Sequence, residues 1–125
     1  MKEDARVLVV DDEAMVCLAL TNWLAEENYF AQAVEDGHQA IKAVRGENWD
    51  IVLLDLRMPG MDGLEVLKQV KEIAPQTVVI MMTAYASIPG AVQAMKEGAY
   101  DYIVKPLDVD QLTLMLKRIV EHQQL

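Results

Sequence analysis

Ile51-Val52-Leu53-Leu54-Asp55-Leu56-Arg57-Met58-Pro59-Gly60-Met61-Asp62-Gly63 decides how the rest of the chain is read. It opens with four apolar residues, two β-branched and two leucine, the composition of a strand buried on both faces. The run ends on a carboxylate, Asp55. Pro59-Gly60 and Asp62-Gly63 follow closely, so the chain turns sharply there and begins a new element. Open α/β sheets bind their ligands at the carboxyl ends of strands. Asp55 stands at such an end and is the first candidate functional residue.

The same pattern recurs on both sides of this stretch. Toward the N-terminus, Val7-Leu8-Val9-Val10 is a buried strand that ends in Asp11-Asp12-Glu13. A helix is expected from about Ala14 to Glu27, with Val16, Leu20, Trp23 and Leu24 on one face and Asn28 as a left-handed stop. Tyr29 to Val34 reads as a strand. Asp36 then caps a helix carrying Ala40, Ile41 and Val44, which Gly46 stops. Toward the C-terminus, Val66, Leu67, Val70 and Ile73 mark a helix that ends before Pro75. Thr77 to Met82 is a strand delivering Thr83. Ser87 caps a short helix with Pro89 in its permitted first turn, and Gly98 closes it. Tyr100 to Val104 is a strand delivering Lys105-Pro106. The last helix, about Asp108 to His122, carries Leu112, Met115, Leu116 and Ile119 as one apolar stripe.

Five such βα units in a row predict a parallel sheet with helices on both faces. With right-handed crossovers, the solution is a flavodoxin-like, doubly wound (βα)5 fold of the α/β class, strand order 2-1-3-4-5. No linker or low-complexity run interrupts the chain, so residues 1–125 are expected to form one domain.

Composition narrows the function. With 53% hydrophobic and 25% charged residues the chain has globular composition. A formal charge of -9 argues against a nucleic-acid or anionic-membrane surface and favours a cation or a basic patch on a partner. The single cysteine, Cys17, excludes an intramolecular disulfide and fits a reducing, cytoplasmic setting. Met1 to Arg6 is too charged for a secretory signal, and no apolar run approaches membrane-spanning length. His38 and His122 read as solvated, Cys17 as a small buried helix residue, and most of the eight methionines as core.

The expected strand order brings the polar strand ends together: Asp11 and Asp12, then Asp55, Thr83 and Lys105. Taken singly, each has an ordinary structural reading, as a helix cap, a strand-end hydroxyl or a solvated lysine. Their convergence on one sheet edge is what points to function. Carboxylates about 4 Å apart repel by roughly 4 kcal/mol per pair at an effective dielectric of about 20. Positive charge must therefore share the pocket. All-oxygen ligands favour a hard cation, Mg2+ being usual where phosphoryl groups are handled. Lys105 adds a fixed cation and Thr83 a hydroxyl. The set suits phosphoryl transfer to Asp55. Arg57 and Tyr85 flank it and are candidates for tuning water access.

Asp11-Asp12, Asp55 within D-L-R-M-P-G-M-D-G, Thr83-Ala84 and Lys105-Pro106 together resemble a bacterial response-regulator receiver domain over essentially the whole chain. The resemblance implies that Asp55 is the phosphoacceptor. It implies that Asp12, Asp55 and the backbone carbonyl of Arg57 hold Mg2+, with Asp11 acting through a water. Thr83 and Lys105 would grip the phosphoryl oxygens, and Tyr102 matches the family's switch aromatic. The donor would be a phosphohistidine on a sensor histidine kinase, and the protein would be a switch, not an enzyme. Residues 83–106 are also similar to receivers of nitrogen-regulator-type transcriptional activators, whose ATPase and DNA-binding domains lie downstream. Pro89-Gly90 departs from that pattern. The mixed charges Lys96, Glu97, Asp101, Lys117 and Arg118 suit a homodimer through the fourth helix, fifth strand and fifth helix.

Three other readings compete. A flavin carrier needs a phosphate loop after the first strand, where Asp11-Asp12 would repel phosphate. An aspartyl-phosphate hydrolase usually has a second Asp two residues past the nucleophile, where this chain has Arg57. A receiver-shaped interaction module that is never phosphorylated usually lacks one of the acids or the lysine, all of which are present here.

Overall fold

The computed structural model describes residues 5–84 and 87–123. Strands and helices alternate as β1 (Arg6–Val10), α1 (Ala14–Glu26), β2 (Phe30–Val34), α2 (Gly37–Gly46) and β3 (Ile51–Asp55). They continue as α3 (Gly63–Ile73), β4 (Val78–Thr83), α4 (Ile88–Lys96), β5 (Asp101–Val104) and α5 (Val109–Gln123). The sheet is parallel throughout, in the order β2-β1-β3-β4-β5. The architecture is the doubly wound (βα)5 fold expected from the sequence.

Strand alternation sorts the core into two layers. Leu8, Val10, Val52, Leu54, Val79 and Met81 pack against α2, α3 and Ala94 of α4. Val7, Val9, Ile51, Leu53, Ile80 and Met82 pack on the other face against α1 and α5. The central strands are therefore buried on both faces, whereas β2, an edge strand, is largely exposed. Burying a single Leu or Ile side chain stabilises by about 1.5–3 kcal/mol, so this double layer is the main source of stability.

Local signals set the element ends. The carboxylates of Asp36 and Asp62 accept from the Gln39 and Glu65 amides, and the Ser87 hydroxyl accepts from that of Gly90, capping α2, α3 and α4. Asn28 sits at φ 69° and ends α1, as its side chain permits. Several boundaries differ from expectation by one residue. Tyr29 donates its amide to the Leu24 carbonyl and so finishes α1 instead of opening β2. Thr77 closes the turn before β4, with its amide on Ala74 and its hydroxyl on the Trp49 carbonyl. Thr83 is still paired, with Val104, so it belongs to β4 and does not lie beyond it. In α1 Cys17, not Val16, is the buried position, and Val16 and Trp23 are only half-buried. Met58, Met81, Met82 and Met115 are core, but Met15 and Met95 are exposed. His38 and His122 are exposed as expected.

Candidate functional site

The register places the polar strand ends side by side. Val10 pairs with Leu54, so the next residues, Asp11 and Asp55, emerge next to each other from β1 and β3. Thr83 pairs with Val104 at the ends of β4 and β5, and Lys105 follows directly. The Lys105 amide donates to the Thr83 carbonyl at 2.8 Å, tying the two strand ends together. The peptide bond between Lys105 and Pro106 is cis.

Asp11 and Asp55 are buried and Asp12 is exposed, and one carboxylate oxygen from each lies within 4.8 Å of the others. Among the described residues this is the one acidic group close enough to hold a metal ion. Lys105 enters from the side, with Nζ 2.6 Å from Asp11 Oδ2, 3.5 Å from Asp55 Oδ2 and 3.8 Å from Glu13 Oε1. The other oxygen of Asp11 accepts from the Glu13 amide at 2.9 Å, and Asp55 Oδ1 accepts from the Arg57 amide at 3.3 Å. The Cys17 thiol donates to the Asp11 carbonyl at 3.2 Å, so it braces the strand end.

One lysine does not neutralise this much negative charge. Burial raises the Asp55 carboxyl to about 6, with Asp11 and Asp12 adding to the effect and Lys105 and the Arg57 amide opposing it. Burial pulls Lys105 down, but its hydrogen bond to Asp11 and the charges of Asp11, Asp55 and Glu13 outweigh that and raise it. The pocket thus holds an ammonium that stays charged and a carboxylate short of positive charge. A divalent cation fits such a donor set: hard oxygens, excess negative charge, and an exposed side at Asp12.

Thr83 is buried, and strand alternation puts it on the sheet face opposite the acids. It lies two residues past Met81, which is paired with Tyr102, and both Met81 and Tyr102 pack into the layer under α2, α3 and α4. Thr83 and Tyr102 therefore share a face on adjacent strands. The Tyr102 hydroxyl is buried and is the one buried side-chain oxygen or nitrogen among the described residues without a hydrogen-bond partner. Arg57 lies in the exposed β3–α3 loop. Tyr85 lies outside the described residues.

Two contributors were not singled out in the sequence. Glu13 adds a third carboxylate beside Lys105, and only the acidic run after β1 hinted at it. Gly63, legible only as a turn residue, is required by close approach. A Cβ there would meet the Asp55 carbonyl and Leu56 Cα, each at 2.6 Å. The first turn of α3 thus lies directly on the end of β3, and the Gly63 amide donates to the Leu56 carbonyl at 2.9 Å.

Comparison with known proteins agrees with this geometry. Residues 7–117 match the family model described as "Response regulator receiver domain". Transcriptional regulatory protein ZraR of Klebsiella oxytoca is 43% identical over 98% of this chain, which covers 28% of that protein. The DNA-binding transcriptional regulator NtrC of Salmonella typhimurium is 39% identical over 94% of this chain, which covers 25% of it. A Burkholderia pseudomallei response regulator, solved with a phosphorylated aspartic acid, calcium ion and citrate, superposes with a TM-score of 0.86. It is 29% identical, covering 97% of this chain and 72% of the other. The chain belongs to the response-regulator receiver family. It is a receiver domain of two-component signalling, a fold that serves as a phosphoacceptor switch. It spans about a quarter of the length of the curated relatives it matches. No helix among the described residues is long and apolar enough to cross a membrane.

Proposed function

We propose that Asp55 accepts a phosphoryl group from a phosphohistidine on a sensor histidine kinase and that the change at this site is passed to the α4–β5–α5 surface. The observation that carries this is the placement of Lys105 against both Asp11 and Asp55, beside an acidic cluster with unbalanced charge. An Asp55 oxygen attacks phosphorus, the phosphorus–nitrogen bond to the donor breaks, and the histidine leaves. Lys105, already oriented by Asp11, turns its charge toward the phosphoryl oxygens, and Thr83 donates its hydroxyl to them.

Mg2+ would be held by Asp12, Asp55 and the Arg57 carbonyl, with Asp11 acting through a water. This assignment suits Asp11, whose two oxygens already accept from Lys105 and the Glu13 amide. When bound, the cation supplies the positive charge that the pocket lacks. Asp55, ionised near neutral pH but not far above its own pKa of about 6, remains a competent nucleophile.

The kinase would dock on α1, which begins at the acidic pocket and leaves Met15 and Leu18 exposed at 76% and 55%. A solvent-facing helix with an apolar outer side is suited to a partner. On the output side, Thr83 drawn toward the phosphoryl group would vacate space for Tyr102 to change rotamer. The α4 face, with Ile88, Val92 and Met95 exposed beside Lys96, Lys117 and Arg118, suits a homodimer or a downstream domain. We assign residues 1–125 to one cytoplasmic receiver unit that makes no direct contact with nucleic acid or membrane. In a longer protein it would control an ATPase and DNA-binding module and hence transcription. The relatives named as transcriptional regulators support this reading.

Incubation with acetyl phosphate and Mg2+ followed by adduct mapping tests the assignment. Phosphate is expected on Asp55 alone. An undiminished signal in Asp55→Asn would overturn the assignment in favour of another acceptor, and no signal on the wild-type protein would favour an interaction module that is not regulated by phosphorylation.

A further inference from the structure

Tyr102 stands in an odd situation. Its ring is packed into the layer under α4, yet its hydroxyl is buried with no partner. A buried polar group left unpaired opposes the conformation that buries it. The neighbouring backbone offers that hydroxyl no partner. The hydroxyl lies against the bare Cα of Gly90: a Cβ built there would be 3.5 Å from the Tyr102 oxygen, ordinary contact distance. The other polar group at this spot, the Ser87 hydroxyl, lies 2.8 Å from the same point and is engaged in capping α4, accepting from the Gly90 amide at 3.0 Å. A serine at position 90 could bring a hydroxyl toward Tyr102. Glycine brings none.

Position 90 is also an expensive place for glycine in helical terms. It falls in the first turn of α4, next to Pro89, where glycine has lower helix propensity than alanine. Its backbone is not in the left-handed region, so no turn geometry demands it. The missing Cβ leaves room for the capping Ser87 hydroxyl, and it also withholds a hydrogen-bonding group from Tyr102.

We propose that Gly90 is the residue that keeps the inward Tyr102 rotamer only marginally favoured, by leaving its buried hydroxyl unpaired, and so sets how readily this receiver switches. Gly90 acts here as a positioning residue, touching no phosphoryl group or metal. The consequence for switching rests on the reading of Tyr102 as the switch aromatic. The effect on the resting rotamer does not.

Gly90→Ser and Gly90→Ala separate the proposal from its alternatives. Both introduce the same Cβ, displace the Ser87 hydroxyl alike and raise helix propensity, but only the serine carries a hydroxyl. On a carbon 3.5 Å from the Tyr102 oxygen, a hydroxyl turned toward it comes within hydrogen-bonding distance. Fluorine NMR of 3-fluorotyrosine-labelled protein, with the Tyr102 signal assigned through Tyr102→Phe, reads the rotamer balance directly. In the unphosphorylated protein, Gly90→Ser is expected to lower the outward population roughly two- to tenfold relative to Gly90→Ala, the range of one net hydrogen bond. It is also expected to raise by a similar factor the beryllofluoride concentration needed to shift the signal. Equal Tyr102 signals in the two variants would overturn the proposal, since packing and helix propensity would then suffice. A wild-type signal indifferent to beryllofluoride, with the serine effect still present at rest, would instead overturn the switching role of Tyr102 and support the control exerted by Gly90.

Discussion

Asp55→Asn should stabilise the metal-free protein, and the size of the gain follows from the site. A carboxyl moved from 3.8 to about 6 favours its protonated form in the folded state. At about 1.4 kcal/mol per pH unit, ionising it at neutral pH costs the fold roughly 3 kcal/mol. The stability held by the protonated group is complete below pH 3.8 and is lost as pH rises through about 6. Asparagine removes the charge and keeps most of the surrounding hydrogen bonds. Its amide oxygen still accepts from the Arg57 amide, and Lys105 retains Asp11 at 2.6 Å. The loss of the ion pair between Lys105 and Asp55 at 3.5 Å is already contained in the raised pKa, and residual solvent screening reduces the gain. The net expectation is a stabilisation of about 1–3 kcal/mol at pH 7. Urea unfolding of both proteins from pH 3.5 to 8 in EDTA reads it. The difference should be near zero at the acid end, open between about pH 4 and 6, and then level off. Saturating Mg2+ should shrink it, because the cation stabilises the protein that binds it more tightly. A variant less stable than wild type at pH 7 without metal, or a gain independent of pH, would refute this account of the pocket.

Four further outcomes follow from the same geometry. Lys105→Ala should abolish most phosphorylation yet leave Mg2+ affinity unchanged or raised, as a competing cation is deleted; calorimetric titration checks this, and loss of metal binding would contradict it. Gly63→Ala should destabilise by about 1–3 kcal/mol in urea unfolding, the usual range for overpacking, because the methyl group meets backbone at 2.6 Å. It should also impair adduct formation at Asp55, since the end of β3 must move. Asp62→Ala, which removes the cap of α3, should cost about 1 kcal/mol and leave phosphorylation measurable. Hydrogen exchange with beryllofluoride should change protection most between Thr83 and Tyr102 and least in α1; the reverse pattern would rule out the proposed route.

The strand order and the meeting of Asp11, Asp12, Asp55 and Lys105 at one sheet edge were legible in the sequence. Apolar runs such as Ile51–Leu54 and the caps at Asp36 and Ser87 are local signals, and right-handed crossovers leave few ways to join five parallel strands. Periodicity along one segment encodes which residues face inward, so Leu112, Met115, Leu116 and Ile119 were readable as core. What lay out of reach depends on the distance between segments remote in the chain. Gly63 looks like a turn residue until α3 is seen lying on β3. The sharing of Lys105 among Asp11, Asp55 and Glu13 joins residues far apart in sequence, and the raised Asp55 pKa depends on burial that no local window contains. Tyr102 reads as an ordinary strand aromatic. Only the packing of α4 over β5 leaves its hydroxyl buried and unmatched, because hydrogen-bond satisfaction is a property of the assembled neighbourhood and not of the residue.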